Sequence, residues 1–203
     1  RDGAGMAIAG SHDWWVPVGN IFLPVPNPRI VMTDTARQEG LAASVQYAAK
    51  HFPDRLALRF ENQSWDYCEL WRTAGIAGEK LRQLAVGHGD RVGLLIGNRP
   101  EWLFWAIAVA EAGAVIVPIN PAYTAAEIRA LLSHAGLLVL VADARLLAAV
   151  DLNDGTMRRV QQLPSEIDQR STAHQGIDRQ AAAIQPDDDA VIYFSSGSTG
   201  QPK

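Results

Sequence analysis

The run Tyr193–Lys203, Y-F-S-S-G-S-T-G-Q-P-K, holds the residues of this chain best suited to chemistry. Six consecutive positions, Ser195 to Gly200, are all Gly, Ser or Thr. Small residues let backbone N–H groups converge on one point, and the hydroxyls of Ser195, Ser196, Ser198 and Thr199 add donors. A concavity lined in this way binds anions, phosphate above all. Lys203 supplies a full positive charge a few residues downstream. Immediately before the tract, the apolar run Ala190–Phe194 reads as a buried strand.

Two other readings of the tract are weaker. A P-loop has the form G-x-x-x-x-G-K, and Gly197 and Lys203 have that separation. Pro202 takes the second glycine position, however, and proline has no N–H to donate. A flexible Gly/Ser linker is the bland alternative. Against it stand the preceding strand, the Ser198 and Thr199 hydroxyls between two glycines, and the Pro-Lys ending.

Elsewhere the chemical candidates thin out. No G-x-S-x-G elbow makes Ser195 or Ser196 a nucleophile. His12, His51, His88, His134 and His174 are scattered without metal-ligand spacing. Asp187-Asp188-Asp189 reads as a solvated turn after Pro186, not a magnesium site. Cys68 has no Cys-His pattern around it and is expected to be a buried structural thiol on a helix. Trp65, Trp71, Trp102 and Trp105 have packing patterns, and Trp14-Trp15 has no assigned role.

The elements that must position the loop follow from periodicity. Leu41 to Phe52 has helical spacing and ends at Pro53; Arg55 to Phe60 alternates as a half-buried strand. Asp66 is the expected N-cap of a helix running to about Leu84, with Glu69 completing a capping box. Arg91 to Ile96 is a strand, Pro100 opens a nearly all-apolar helix through Ala112, and Val115 to Ile119 is a strand. Thr124 caps the helix Ala125–His134, and Leu137 to Val141 is a further strand. Strands that are continuous apolar runs, alternating with helices, predict an α/β fold: a parallel sheet with helices on both faces. Such sheets bind ligands at the carboxyl ends of their strands. The chain divides into an irregular Trp/Pro-rich segment (1–40), an α/β region (41–150), a polar excursion (151–189) and the strand plus phosphate loop (190–203).

The terminal tract resembles the signature loop of the adenylate-forming enzymes, which include acyl-CoA synthetases, luciferases and peptide-synthetase adenylation domains. That loop runs aromatic-Thr-Ser-Gly-Ser/Thr-Thr-Gly-x-Pro-Lys-Gly. Phe194, Ser196, Gly197, Ser198, Thr199, Gly200, Pro202 and Lys203 match it, and Ser195 replaces threonine. Further likeness covers Gly89-Asp90-Arg91-Val92, Asn98-Arg99-Pro100-Glu101, Glu111-Ala112-Gly113-Ala114, Val117 to Pro121 and Thr124 to Ile128. Asp151 to Gln185 is the unmatched gap. Asn120 before Pro121 resembles the acyl-CoA synthetase branch, because peptide-synthetase domains usually carry aspartate there.

The resemblance implies an AMP-forming ligase that joins a carboxylic acid to coenzyme A using ATP and Mg2+. Ser195, Ser196, Gly197, Ser198, Thr199, Gly200 and Lys203 would hold the pyrophosphate part of ATP, with Thr199 or Ser198 a candidate magnesium contact. The family's adenine pocket, its Tyr-Gly-x-Thr-Glu segment and its catalytic lysine come later in sequence. The chain is therefore expected to be an N-terminal fragment, inactive by itself and without catalytic residues of its own. The alternatives are an amino-acid adenylation domain of a peptide synthetase, or a non-catalytic nucleotide- or anion-binding module.

Composition is ordinary for a soluble globular protein. The 203 residues are 48% hydrophobic and 20% charged, with a net charge of −4. No basic stripe points to nucleic acid, no apolar run is long enough to span a membrane, and a lone cysteine fits a reducing cytoplasm.

Overall fold

The computed structural model describes residues 14–18, 21–25, 40–149, 161–168, 179 and 181–194. In chain order the elements are β1 (Trp14–Val18), β2 (Ile21–Val25), α1 (Gly40–His51), β3 (Leu56–Phe60), β4 (Gln63–Asp66) and α2 (Tyr67–Gln83). They continue as β5 (Arg91–Leu95), α3 (Pro100–Glu111), β6 (Val115–Pro118), α4 (Ala125–Ala135), β7 (Val139–Ala142), α5 (Ala144–Ala149) and β8 (Gln161–Pro164).

Three of the apolar runs foreseen as strands, Arg91–Ile96, Val115–Ile119 and Leu137–Val141, supply β5, β6 and β7 of a parallel sheet in the order β6-β5-β7-β8, whereas Arg55–Phe60 supplies β3 of a separate antiparallel sheet. Val92 of β5 lies opposite Ile116 on one side and Val139 on the other, so β5 is central. Period-two alternation divides the sheet's side chains between two cores. Val92, Leu94, Ile116, Val139 and Val141 pack on α2 and α3 through Ala77, Leu81, Trp105 and Val109. Leu95, Val117, Leu140 and Ala142 turn the other way, onto Ile128, Leu131, Leu132 and Ala135 of α4. Helices thus cover both faces, as continuous apolar strands require.

Local rules account for the helix boundaries. Asp66 accepts from the Glu69 amide at 2.7 Å, and Glu69 returns a carboxylate to the Asp66 amide at 3.0 Å, closing the foreseen box. Pro100 occupies the first turn of α3. The turn from α3 into β6 passes through Gly113 at φ +68°, a left-handed conformation that favours glycine. Thr124 caps α4 with Glu127, whose carboxyl is held below its usual range by the Thr124 amide first and the Thr124 hydroxyl second. Thr124→Ala is expected to cost about 1 kcal/mol. Urea unfolding should show a lower midpoint with an unchanged slope; an unchanged midpoint would remove the cap's role.

Three stretches differ from the sequence expectation. The irregular N-terminal segment contains the β1-β2 hairpin, which joins β3 through Phe22 opposite Arg59 in an antiparallel sheet β1-β2-β3-β4. Pro17 and Pro24 obscured it, since proline argues against a strand except at edges and irregular positions. The polar excursion contributes β8, which pairs in parallel with β7 from Val139 opposite Gln161. An edge strand needs no continuous apolar run, so Gln161-Gln162 carried no strand signal. Ala190–Phe194 is not a buried strand. It makes one parallel bridge, Val191 to Ile116, and leaves Val191 and Tyr193 exposed. It lies at the edge of the sheet beside β6.

Candidate functional site

The carboxyl ends of β5, β6 and the 190–194 segment converge on a cleft of about 450 Å³. The turn after β5 contributes Gly97 and Asn98, α3 contributes Trp102 and Leu103, and the turn after β6 contributes Asn120, Pro121 and Tyr123. Tyr193 and Phe194 close the remaining side. The seven residues foreseen as the phosphate loop, Ser195, Ser196, Gly197, Ser198, Thr199, Gly200 and Lys203, lie outside the described residues. Phe194, which immediately precedes them, is a wall of the cleft.

Backbone pairing sets the approach of this segment. The Ile116 amide donates to the Ala190 carbonyl at 3.0 Å, and the Ile192 amide donates to the Ile116 carbonyl at 2.9 Å. Ile192 and Phe194 then pack against the core beneath α4. Upstream, Asp188 accepts from the Gln185 amide at 2.6 Å and meets His88 Nε2 at 2.8 Å. Those contacts, the Gln185 amide foremost, hold the Asp188 carboxyl below its usual range. The acidic run is therefore a turn, as expected, and one of its carboxylates ties that turn to the loop before β5.

Asp143 organises the opposite side of the sheet's carboxyl end. Its carboxylate accepts from the Gly97 amide at 3.1 Å and from the Ser165 hydroxyl at 2.6 Å, and it pairs with Arg99 at 3.4 Å. One side chain thus laces the turns that follow β5, β7 and β8. Arg99 also pairs with Glu101 at 3.0 Å. The hydrogen bond to Glu101 is the main cause that raises the guanidinium's pKa, so this arginine is a fixed cation. Sequence reading missed Asp143 and Ser165. A charged residue closing the apolar run Val139–Ala142 was the available signal for Asp143, while Ser165 had none.

The cleft's side chains are aliphatic, aromatic or amide, with no ionised group among the lining residues. Such a surface can hold the uncharged part of a ligand but cannot neutralise phosphate. Charge stabilisation must come from groups at its rim. Among the described residues no group of three or more His, Cys, Asp or Glu could hold a metal ion. These residues do not fit a magnesium site, and none is assigned to them. Also among the described residues, no helix is long and apolar enough to cross a membrane.

The competing candidates resolve as packing. Trp65, Trp71 and Trp105 are buried core residues, whereas Trp102 is half-buried and faces the cleft. Cys68 is half-buried rather than buried; burial, then the Asp66 charge, raises its pKa and disfavours a reactive thiolate. A second, polar cleft lined by Gln63, Ser64, Glu69, Arg72 and Thr73 shares no residue with the first.

The AMP-binding enzyme family profile matches residues 45–203. A methyl-dioxo-octahydroindenyl-propanoyl:CoA ligase of Mycobacterium tuberculosis is 32% identical over 177 residues, which are 79% of this chain and 35% of that protein. Tyrocidine synthase 3 of Brevibacillus parabrevis is 30% identical over 151 residues, 74% of this chain and 2% of the synthase. Among solved structures, the N-terminal subdomain of Klebsiella oxytoca NpsA in complex with 3-hydroxybenzoyl-AMSN superposes with a TM-score of 0.66 at 29% identity. The superposition covers 80% of this chain and 39% of that one. The N-terminal domain of FACL13 from Mycobacterium tuberculosis gives a TM-score of 0.63 at 26% identity, over 80% and 42% of the two chains. The chain spans about a third of the length of the first of these ligases.

Proposed function

Because the chain belongs to the AMP-binding enzyme family, we propose that it is the N-terminal part of an ATP-dependent, AMP-forming acyl-CoA synthetase. The observation that carries this reading is the position of Phe194. It ends the segment beside β6 at the carboxyl edge of the parallel sheet, against the cleft, and the glycine- and hydroxyl-rich tract begins at the next residue. Ligands of open parallel sheets bind at that edge.

In the proposed reaction a carboxylate oxygen attacks the α-phosphorus of ATP, forming an acyl-adenylate and releasing pyrophosphate. The sulfur of coenzyme A then attacks the acyl carbon and AMP leaves. The first half concentrates negative charge on the departing phosphates, so fixed donors at that point contribute most. Lys203 supplies a cation, and Ser195, Ser196, Ser198 and Thr199 supply hydroxyl donors. Gly197 and Gly200 let the backbone approach the phosphates. The cleft walls, Trp102, Tyr123 and Phe194 among them, suit the uncharged part of a ligand.

A peptide-synthetase adenylation domain is the second reading, favoured by the identity to tyrocidine synthase 3. Asn120 favours the acyl-CoA branch. Acid-dependent exchange of labelled pyrophosphate into ATP by the intact protein tests both. Exchange with short, medium, long or aromatic acids, followed by acyl transfer to free coenzyme A, is the expected result. Exchange with amino acids alone would move the protein to the peptide-synthetase branch, and none with any acid would reject adenylation.

A further inference from the structure

Arg179 lies where three helices meet, outside the cleft. Gln46 of α1 donates to its backbone carbonyl. Its guanidinium stands 4.4 Å over the Trp71 ring of α2 and donates to the Trp71 carbonyl at 2.7 Å. It also grips both oxygens of Glu111, the last residue of α3, at 3.0 and 3.3 Å. The two charged side chains are only 10% and 11% exposed. Gly75 makes room for this arrangement, because a Cβ there would lie 2.3 Å from Arg179 Cζ.

Glu111 has a second task. Its carbonyl accepts the Ala182 amide at 2.8 Å, so one residue holds the returning chain at two points. It also precedes the Gly113 turn into β6, the strand on which 190–194 rests. That segment's own hold on β6 is the pair of backbone bonds at Ile116. A slip of one residue would exchange the packed Ile192 and Phe194 for Val191 and Tyr193, now 39% and 75% exposed. Two bonds specify register weakly; upstream, the Asp188 tie to His88 holds the turn before the segment, and the Glu111 carbonyl, fixed through Arg179, holds the chain at Ala182. Buried ion pairs contribute little net stability compared with apolar packing, and specifying one geometry is the better account of this one.

We propose that Arg179 is a positioning residue for the phosphate loop: clamped on Glu111 and Trp71, it sets the register of 190–194 on β6 and hence where the loop starts. Its kinetic consequence rests on the ligase reading; its structural consequence does not. The test uses the intact protein with Arg179→Ala and, separately, Gly75→Ala, which displaces the guanidinium while leaving the arginine in place. Helix propensity alone favours alanine at this position, so a loss in Gly75→Ala reports the clash with the guanidinium.

In both variants the Ile192 amide should exchange with solvent at least about tenfold faster while β5 amides stay protected. The KM for ATP should rise about tenfold, with the KM for the acid within about twofold of wild type. Arg179→Lys should recover part of this, since it keeps the charge on Glu111 but loses the planar fork. Variants that melt earlier yet keep wild-type Ile192 exchange and ATP KM overturn the proposal. If the wild-type protein adenylates no acid, the ligase reading fails and Ile192 exchange alone decides the clamp's role.

Discussion

Lys203→Ala in the intact protein is expected to lower acid-dependent ATP–pyrophosphate exchange by about 10²- to 10³-fold, the loss typical of one fixed donor to developing charge. The cleft beside Phe194 has no ionised lining residue, so nothing among its walls can replace that cation. The thermal midpoint should barely move. A lysine following a Gly/Ser/Thr tract is expected to be a surface residue, and surface substitutions stay within about 0.5 kcal/mol. Lys203→Arg should restore only part of the rate, because a planar fork does not replace a compact ammonium. Retained exchange, or a loss explained by unfolding, would remove Lys203 from the phosphate site.

Trp105→Ala should have the largest effect on stability, about 3–5 kcal/mol. Trp105 is fully buried among Ala77, Val92 and Val139, in the layer joining α2 and α3 to the sheet. Its indole also donates to the Ser165 carbonyl at 2.8 Å, and Ser165 is itself fully buried. Truncation therefore opens a cavity and orphans a buried acceptor at once. A domain stable by about 5–15 kcal/mol would lose a large share of its margin. Trp105→Phe separates the two effects: it keeps most of the volume and forfeits the bond, for about 1–3 kcal/mol. Chemical denaturation of both variants measures the difference. Equal losses would show that the bond carries the effect and the cavity none.

Three strands of the parallel sheet, β5, β6 and β7, were legible because they are buried on both faces. Val92 to Ile96, Val115 to Ile119 and Val139 to Val141 have to be apolar throughout, and the helices between them carry their own caps. β8 and the β1-β2 hairpin were not legible. β1 and β8 lie at sheet edges, where Pro17 or Gln161 is tolerated, and Pro24 on β2 has a register partner only on β1. The expectation of a buried final strand failed for a related reason. Val191 and Tyr193 are apolar or aromatic but occupy the outer face of an edge segment, and burial there is decided by neighbours rather than by residue type.

For the site, sequence supplied the groups that bear charge and hydroxyls, which lie outside the described residues, and the structure supplied the segment that precedes them, ending at Phe194. Phe194, the last described residue before that tract, lines the cleft at the carboxyl edge of the sheet. The polar links behind it were invisible. Asp143 reaches Gly97 and Ser165, and Arg179 reaches Glu111 and Trp71, across long separations in the chain.

What the sequence determined by itself was local: the Asp66-Glu69 box, the Thr124 cap, the proline start of α3, the apolar strands, and the chemical character of Ser195 to Lys203. Each depends on residues within a few positions of one another, where backbone geometry fixes who can meet. The tertiary structure alone decided which distant polar groups share a bond, which strand lies at an edge, and that Gly75 is the space a buried guanidinium needs. Such contacts follow no period along the chain. They exist only once the sheet and its helices have packed and desolvation has obliged every buried charge to find a partner.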